Sequence, residues 1–352
     1  METSQKKSRP LSQLIRMQDR LARTSFILSQ HNIAHAFIGT HNQVPLCSSE
    51  FFTWVTRVLE DRGIYPSAGQ LSHFIRILDG QTREAQIFRS VNHRIYQTAP
   101  KTYRIDLHNR EMEVINLSAD GWCIDDNYDS SFYTPDGTLP FLRPEPIKTK
   151  LPQCLEKLLH LPQEKAKQLS TWLVEALLPG NIVPALVITG TARYQAATKL
   201  RQLLDPMICP LLVMPSTTRR LGQVALTNRV MALSISGKLP PARIVALNDL
   251  RTGLQVDLKQ VDRSSGPSST LLQRPIILAL EKEQNIHEGQ LTIEVNETAM
   301  AEPADLLAAL LDAAVEAIRE TEEKEKEIIY FEKVRTEPES REWEPEQEGP
   351  YP

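Results

Sequence analysis

The second half of the chain alternates short apolar segments with segments of helical periodicity between residues 182 and 319. Apolar runs of four to six residues are typical of strands buried on both faces, and their alternation with helices predicts a mainly parallel α/β sheet. The predicted strands are Ala185–Thr189, Leu211–Met214, Val230–Ile235, Pro275–Leu280 and Leu291–Val295, and the predicted helices are Tyr194–Leu204, Arg220–Asn228, Pro241–Leu250 and Pro303–Arg319.

The first half of the chain shows a different pattern. Apolar residues at roughly helical spacing predict an N-terminal helix that ends near residue 30, and 33–38 reads as a strand. Ser48 or Ser49 and then Ser67 are placed as N-caps of two helices, 49–61 and 67–78. Strand-like segments follow as far as residue 124. This order predicts a smaller α+β domain, and it is equally consistent with a winged helix, in which two helices precede β hairpins.

Composition divides the chain into segments. Residues 130–150 are rich in Pro and Gly, which predicts a linker or a loop draped over the surface. Two amphipathic helices then open the α/β part. The predicted organisation is an N-terminal helix (1–30), an α+β domain (31–129), a Pro-rich linker (130–150), an α/β domain (151–320) and an acidic, largely disordered tail (321–352) in which the last helix continues to about residue 333.

Charge and cysteine content narrow the classes of protein. No apolar run reaches the roughly 18 residues of a membrane helix, so no membrane partner is expected. The four cysteines lie far apart, which fits a reducing cytoplasm. The segment after Arg319 contains twelve Glu and five Lys or Arg, so its net charge is about −7. Because the net charge of the whole chain is −4, the preceding residues carry about +3. His31 and His35 have no third ligand nearby, and no metal site is predicted.

Two clusters of polar side chains are candidates for contact with DNA. In a winged helix the helix over 67–78 would enter the major groove, with Gln70 and His73 facing bases and Arg76 contacting phosphate. Arg219 and Arg220 lie in the α/β part, where they would contact nucleic acid or a neighbouring subunit of a homo-oligomer. For both clusters, a solvated protein surface without a DNA contact is the simpler interpretation.

Short segments in a particular order point to a family. They are Ala119–Trp122, Thr189–Gly190, Leu204–Pro206, Leu239–Gly253 and Arg274–Leu278. With these segments, the chain from about residue 33 to residue 319 resembles phage- and mobile-element-type ATPases that are fused to, or stand beside, primase domains. The resemblance implies a P-loop ATPase-like fold and a role in DNA replication with partners such as a primase.

The phosphate loop of that family departs from its pattern in this chain. A working loop reads G-x-x-x-x-G-K-[ST], with Lys on the β- and γ-phosphates and a hydroxyl on Mg²⁺. Counted from Gly190, the Lys and hydroxyl positions hold Ala196 and Ala197. Alignment on the helix end instead brings Arg193 near the Lys position, and Thr198 is the hydroxyl at hand. Gly190, Arg193 and Thr198 are therefore interpreted as a vestigial site, and ATP is not expected as a cofactor.

Other positions that serve the reaction in the relatives hold unsuitable residues in this chain. Ser234 stands where relatives end a strand in Asp, and Ala279 stands where they carry a polar sensor residue. Residues 285–290 contain no Arg for transition-state charge. The resemblance thus implies a non-catalytic DNA-binding, protein-binding or scaffolding component. The alternatives are an active but non-standard ATPase or helicase that uses Arg193 or Thr198, and a winged-helix DNA-binding regulator.

Overall fold

The computed structural model describes eight helices and fifteen strands, and the strands form four sheets. The described residues are 21, 24–29, 33–38, 42–46, 48–89, 91–126, 131–135, 137–257, 269–299 and 303–336.

The first sheet packs against two helices and forms the smaller α+β unit that the sequence predicts. Its elements are β1 (Phe26–Ser29), β2 (Ala34–Ile38), β3 (Asn42–Pro45), α1 (Ser49–Glu60), α2 (Ala68–Ala85) and β4 (Phe88–Arg89). The strand order is β3-β2-β1-β4, with β1 antiparallel to β2 and parallel to β4. Phe51 and Val55 of α1 and Leu71 and Phe74 of α2 join the buried core of this unit.

The predicted N-terminal helix over 1–30 is wrong at its end. Residues 26–29 form β1, which lies between β2 and β4 in the sheet. Three adjacent apolar residues, Phe26 to Leu28, fit a strand paired on both edges better than one face of a helix. Residues 1–20 lie outside the described residues, as does His31.

The β hairpins belong to a different sheet, so the winged-helix interpretation is wrong. The antiparallel meander consists of β5 (Ile95–Ala99), β6 (Thr102–Asp106), β7 (Val114–Ser118) and β8 (Gly121–Asp125). Its apolar side shares a core with helices of the α/β part, through residues such as Ile105 and Leu117. The predicted boundary near residue 129 therefore does not separate two cores.

The Pro-rich segment is a draped loop rather than a free linker. Its described residues, 131–135 and 137–150, form only isolated bridges and no helix. Phe132 and Phe141 are buried, and the backbone N–H of Leu139 donates to the carbonyl of Pro206 at 2.9 Å. The loop is thereby tied to both the meander and the α/β part.

The α/β part contains a five-stranded sheet in which every pair of neighbours is parallel, in the order β10-β11-β14-β9-β15. Its elements and those packed on it are α3 (Leu151–Leu159), α4 (Gln163–Leu177), β9 (Leu186–Thr189), α5 (Arg193–Leu204), β10 (Leu212–Val213), α6 (Thr218–Thr227), β11 (Met231–Ile235), α7 (Pro241–Thr252), β12 (Leu254–Asp257), β13 (Ser269–Leu272), β14 (Ile276–Leu280), β15 (Leu291–Glu294) and α8 (Pro303–Thr336).

Both faces of this sheet are buried, which explains why its strands read as continuous apolar runs. Along β9, Leu186 and Ile188 face the core that holds α4, α5 and α8, whereas Val187 faces the core that holds α6 and α7. The mainly parallel sheet and the smaller α+β unit before it are confirmed. Sequence patterns missed the antiparallel pair β12 and β13, whose connecting residues lie outside the described part.

The last helix continues into the acidic segment. The sequence predicted its continuation to about residue 333, and α8 ends at Thr336. Glu and Lys are good helix formers, and Lys101 meets Glu325 at 2.5 Å, so the acidic segment is helical and contacts the meander. Residues 337–352 lie outside the described residues. No helix of the described part is both long and apolar enough to cross a membrane.

Candidate functional site

The loop between β9 and α5 occupies the position where parallel α/β sheets bind ligands. β9 lies inside the sheet, between β14 and β15, and its carboxyl end leads directly into Gly190. Ligands of open α/β sheets bind beyond the carboxyl ends of the strands, where helix N-termini attract anions. The loop of residues 190–192 is therefore the candidate site that the sequence predicted.

Gly190 allows another segment of the chain to approach this loop closely. Its φ is +94°, and a Cβ at this position would lie 2.4 Å from the carbonyl oxygen of Val295 and 2.8 Å from Oδ1 of Asn296. No other residue type fits without moving the backbone that follows β15. The absence of a side chain at Gly190 thus allows residues 295 and 296 to pack directly against the loop.

Two backbone donors of the loop are engaged by the protein itself. The N–H of Ala192 donates to the carbonyl of Val295 at 3.0 Å, and the N–H of Thr191 donates to Oδ1 of Asn296 at 3.2 Å. The Thr191 hydroxyl donates to the carbonyl of Asn296 at 2.8 Å. In a phosphate loop, such N–H groups point at the ligand. Here carbonyl and amide oxygens from the segment after β15 take that place.

Arg193 and Thr198 do not complete a phosphate site. The guanidinium of Arg193 folds back, with Nη1 donating to the carbonyl of Gly190 at 3.0 Å and its carbon lying 4.3 Å from the centre of the Tyr194 ring. Thr198 is half-buried more than one turn inside α5. Its neighbour Lys199 donates to the carbonyl of Ala299 at 3.0 Å. Of the three predicted residues, only Gly190 and Arg193 lie together.

The neighbouring strands carry no carboxylate at the positions that the sequence analysis marked. Ser234 of β11 and Ala279 of β14 are directly paired in the sheet, and Ala279 is fully buried. A hydroxyl and a methyl group cannot supply the negative charge that holds Mg²⁺ beside a phosphate.

The predicted DNA-facing residues of α2 have separate local roles. Gln70 completes a capping box with Ser67, whose backbone N–H donates to Gln70 Oε1 at 2.9 Å. His73 and Arg76 are exposed one turn apart, with 3.4 Å between Nδ1 and Nη2. Leu71 and the other apolar residues of α2 are buried on the opposite face. The helix is therefore a sheet-packing helix whose polar face is solvated.

Arg219 and Arg220 stand exposed in the first turn of α6. Thr217 caps that helix through a hydrogen bond of 3.1 Å from the Arg220 N–H. Two cations beside a helix N-terminus are unfavourably placed relative to the helix dipole, so the helix itself gains nothing from them. They form a compact basic patch on the surface of the α/β part.

Sequence analysis missed a buried ionic cluster around Asp205, at the end of α5. One carboxylate oxygen, Oδ2, accepts from Arg201 Nη2 at 3.0 Å and from the backbone N–H groups of Arg229 and Val230 at 2.9 and 3.2 Å. The other, Oδ1, lies 3.6 Å from Arg94 Nε. Arg201 and Asp205 are wholly buried. The cluster joins the end of α5 to the start of β11 and to the residue before β5.

The arginines around Asp205 also hold backbone carbonyls from distant segments. Arg94 donates to the carbonyls of Leu139 and Pro206, and Arg229 donates to those of Ala176 and Leu177 at the end of α4. Helix C-termini leave such carbonyls without intrahelical partners, so these contacts satisfy buried acceptors. Arg274 does the same for α6, with Nε donating to the carbonyls of Ala225 and Asn228 at 3.0 and 2.9 Å.

Burial and charge shift the pKa values of the cluster. Burial raises the pKa of Asp205, but the positive groups around it and the N–H donors outweigh burial and hold that pKa below its usual value. Burial lowers the pKa of Arg229 to about 10. It also lowers the pKa of His93 to about 3, with Arg94, Arg274 and Arg229 acting in the same direction and Asp205 opposing. His93 is therefore neutral at physiological pH.

Only one part of this cluster has a local signal in the sequence. Arg201 and Asp205 are four residues apart at the end of a helix, which is the spacing of a helical ion pair. His93, Arg94 and Arg274 come from segments separated by more than a hundred residues. Their meeting depends on how the meander and the draped loop pack against the α/β sheet, which local patterns do not encode.

The matches of this chain to known proteins come from solved structures. No family model matches it, and no curated protein matches it. Among solved structures, it is similar to the A form apo structure of the NrS-1 C-terminal region, with a TM-score of 0.42 and 10% identity over 86% of this chain and 68% of that chain. A second structure of that region gives a TM-score of 0.36 and 10% identity over 87% and 67%. With TM-scores below 0.5, these likenesses assign no function to the chain.

Replacing Asp205 by Asn should destabilise the protein strongly. The substitution keeps the side-chain volume but removes the charge that Arg94 and Arg201 face, and leaving buried cations uncompensated typically costs about 3–5 kcal/mol. Urea denaturation measures the free energy of unfolding. The matched control is Asp249→Asn on the exposed face of α7, which should change it by less than about 0.5 kcal/mol. A loss below about 1 kcal/mol at Asp205 would contradict the structural role of the cluster.

Burial of neutral His93 should make stability depend on pH. Because its pKa falls from 6.5 to about 3 on folding, the stabilisation is complete above pH 6.5 and is lost as the pH falls towards 3. The native protein should lose about 1.6 kcal/mol more than His93→Gln between pH 6.5 and pH 5. Urea denaturation at pH 6.5 and pH 5 measures this loss of stability. The control variant His73→Gln, at an exposed position, should lose as much stability as the native protein. Equal losses in the native protein and His93→Gln would refute it.

Proposed function

We propose that the protein is a non-catalytic relative of a mobile-element DNA-replication ATPase, and that it acts as a binding or scaffolding component. The observation that carries the proposal is the engagement of the Thr191 and Ala192 N–H groups by residues 295 and 296. A nucleotide phosphate at this loop would have to displace those oxygens. It would then find no lysine, no metal-binding carboxylate and no free arginine in the loop.

The rival enzymatic function requires Arg193 or Thr198 to replace the missing groups. The Arg193 guanidinium already donates to the carbonyl of Gly190 and stacks on the Tyr194 ring, and Thr198 lies inside α5. The rival winged-helix function requires the hairpins to pack beside α2, whereas they form the separate meander. Both rivals therefore require rearrangements that the proposed binding function does not.

The proposal places a DNA contact on the basic patch formed by Arg219 and Arg220. These residues are exposed and next to each other at the start of α6. Guanidinium groups in this setting suit phosphate oxygens, which are the main contacts of sequence-independent DNA binding. A replication protein such as a primase is the other partner class, and DNA binding distinguishes the two.

The purified chain should neither hydrolyse nor appreciably bind Mg-ATP. We expect a dissociation constant weaker than about 1 mM, because the loop lacks the groups that hold the β- and γ-phosphates. Equilibrium binding and phosphate release measure the two properties. Arg193→Ala serves as the matched variant. Hydrolysis by the native chain that disappears in Arg193→Ala would establish the non-standard ATPase instead.

Duplex DNA should bind the full chain at 50 mM salt and lose most of its affinity at 200 mM. Replacing Arg219 and Arg220 together by Gln should reduce the slope of log affinity against log salt by about 2, since each phosphate contact contributes about 0.9. Fluorescence anisotropy measures the affinity. The control pair Lys157→Gln and Lys167→Gln removes the same charge from exposed positions of α3 and α4 and should leave the slope unchanged.

The outcomes of this experiment separate the partner classes. Loss of affinity on substitution of His73 and Arg76, with Arg219 and Arg220 dispensable, would move the DNA contact to α2. Absence of binding at 50 mM salt would remove DNA as the direct partner and leave a replication protein.

A further inference from the structure

A cavity of about 340 Å³ lies where the first sheet, the draped loop and the α/β part meet. Its walls include His35, His93, Tyr133, Arg229 and Arg274. Gly180 and Asn181 line it as well and are exposed, so they form a mouth towards solvent. The volume falls at the lower end of the range for small-molecule sites, about 300–1,000 Å³.

The position of the cavity separates it from the loop after β9. Arg229 lies two residues before β11, and Arg274 and Pro275 directly precede β14. The cavity therefore lies at the amino ends of the parallel strands, whereas Gly190 lies at their carboxyl ends. A ligand in this cavity would not touch the vestigial phosphate loop.

Several hydrogen-bond donors in the cavity wall remain unused within the described part of the chain. Arg229 uses Nη2 for the carbonyls of α4, and Arg274 uses Nε and Nη1 for carbonyls of neighbouring residues. Nε and Nη1 of Arg229 and Nη2 of Arg274 make no hydrogen bond to described residues. Both ring nitrogens of His93 also lack such a bond, although its side chain is only 9% exposed. Its Nε2 lies 3.8 Å from Oδ1 of Asp205, beyond hydrogen-bond distance.

The charges around the cavity do not balance. Arg94 and Arg201 contact the carboxylate of Asp205, which also attracts the guanidinium groups of Arg229 and Arg274, and the buried carboxyl group of Asp106 attracts Arg94. Within the described part of the chain, four guanidinium groups thus lie near two carboxyl groups. Buried charges normally occur in compensated sets, because an unpaired charge in a dry site is costly. An anion in the cavity would compensate the excess.

We propose that this cavity binds a phosphate group, with Arg229 and Arg274 as its cationic ligands and His93 as a further hydrogen-bonding partner. Guanidinium groups present planar forks of N–H donors that match phosphate oxygens and remain charged when buried. The cavity holds either inorganic phosphate or the phosphate of a small monoester. Its apolar walls, which include Ile33, and the ring of Tyr133 suit the organic part of a monoester.

Thermal unfolding of the full chain in phosphate-free buffer tests the proposal. Inorganic phosphate and adenosine monophosphate are added separately up to about 10 mM, and sodium chloride keeps the ionic strength constant. At least one of the two ligands should raise the melting temperature in a saturable manner, because a ligand that binds only the folded state stabilises it. A stronger response to the nucleotide identifies a monoester site, and an equal or stronger response to phosphate identifies an inorganic phosphate site.

Variants locate the binding. Arg274→Gln should abolish the response, and Arg57→Gln, at an exposed position of α1, should retain it as the matched control. Because Arg274 also holds carbonyls of α6, His93→Gln provides a second variant, whose affinity should fall at least threefold. In the native chain, the ring proton resonances of His93 should shift along the same saturation curve.

Each result decides the matter. A saturable response that each folded cavity variant weakens, together with the His93 shift, supports the phosphate site. Lack of a saturable response to both ligands overturns it. A response that survives unchanged in a folded cavity variant, or that occurs without a shift of the His93 resonances in the native chain, also overturns it. ATP hydrolysis does not enter these measurements, so failure here leaves the proposed non-catalytic function standing.

Discussion

The packing of the meander and the draped loop against the α/β sheet depends on the hydrogen bonds and ion pairs of the buried Asp205 carboxylate. It accepts hydrogen bonds from Arg201 of the same helix and from the backbone at the start of β11, and it faces Arg94 before the meander. Arg94 in turn holds the carbonyls of Leu139 and Pro206. One buried acid thus connects the α/β sheet, the meander and the draped loop. In a dry environment such a network favours a single arrangement, because any other would leave buried charges unpaired.

This network changes how the molecule is divided. The meander follows the α+β unit in sequence, but its apolar side packs on α3, α4 and α8. Trp122 of β8 donates to Asp312 of α8 at 2.8 Å, and Arg319 donates to the carbonyl of Ala119 at 2.8 Å. The meander and the parallel sheet therefore form one packing unit around α8, to which β1 to β4 and their helices are joined across the cavity.

The two ends of the parallel sheet differ in chemistry. At the carboxyl ends, residues 295 and 296 satisfy the donors of the loop after β9. At the amino ends, Arg229 and Arg274 retain unused donors beside a cavity with too few acids. Under the two proposals, the loop after β9 holds no nucleotide, and an anion is bound at the opposite ends of the strands. This contrast is why the proposed binding function and the proposed phosphate site rest on different residues.

The sequence by itself determined the local elements, because their causes are local. Apolar runs gave the strands of the parallel sheet, and Ser48 and Ser67 marked helix starts through side-chain caps that the structure contains. It also identified Ala196 and Ala197 at positions that a phosphate loop needs for other residues. Only the tertiary structure decided that 26–29 is a strand and that the hairpins form a sheet apart from α2. It also decided that Asn296 accepts a hydrogen bond from the loop after Gly190. These outcomes depend on contacts between residues distant in sequence, where pairing and burial override local preference.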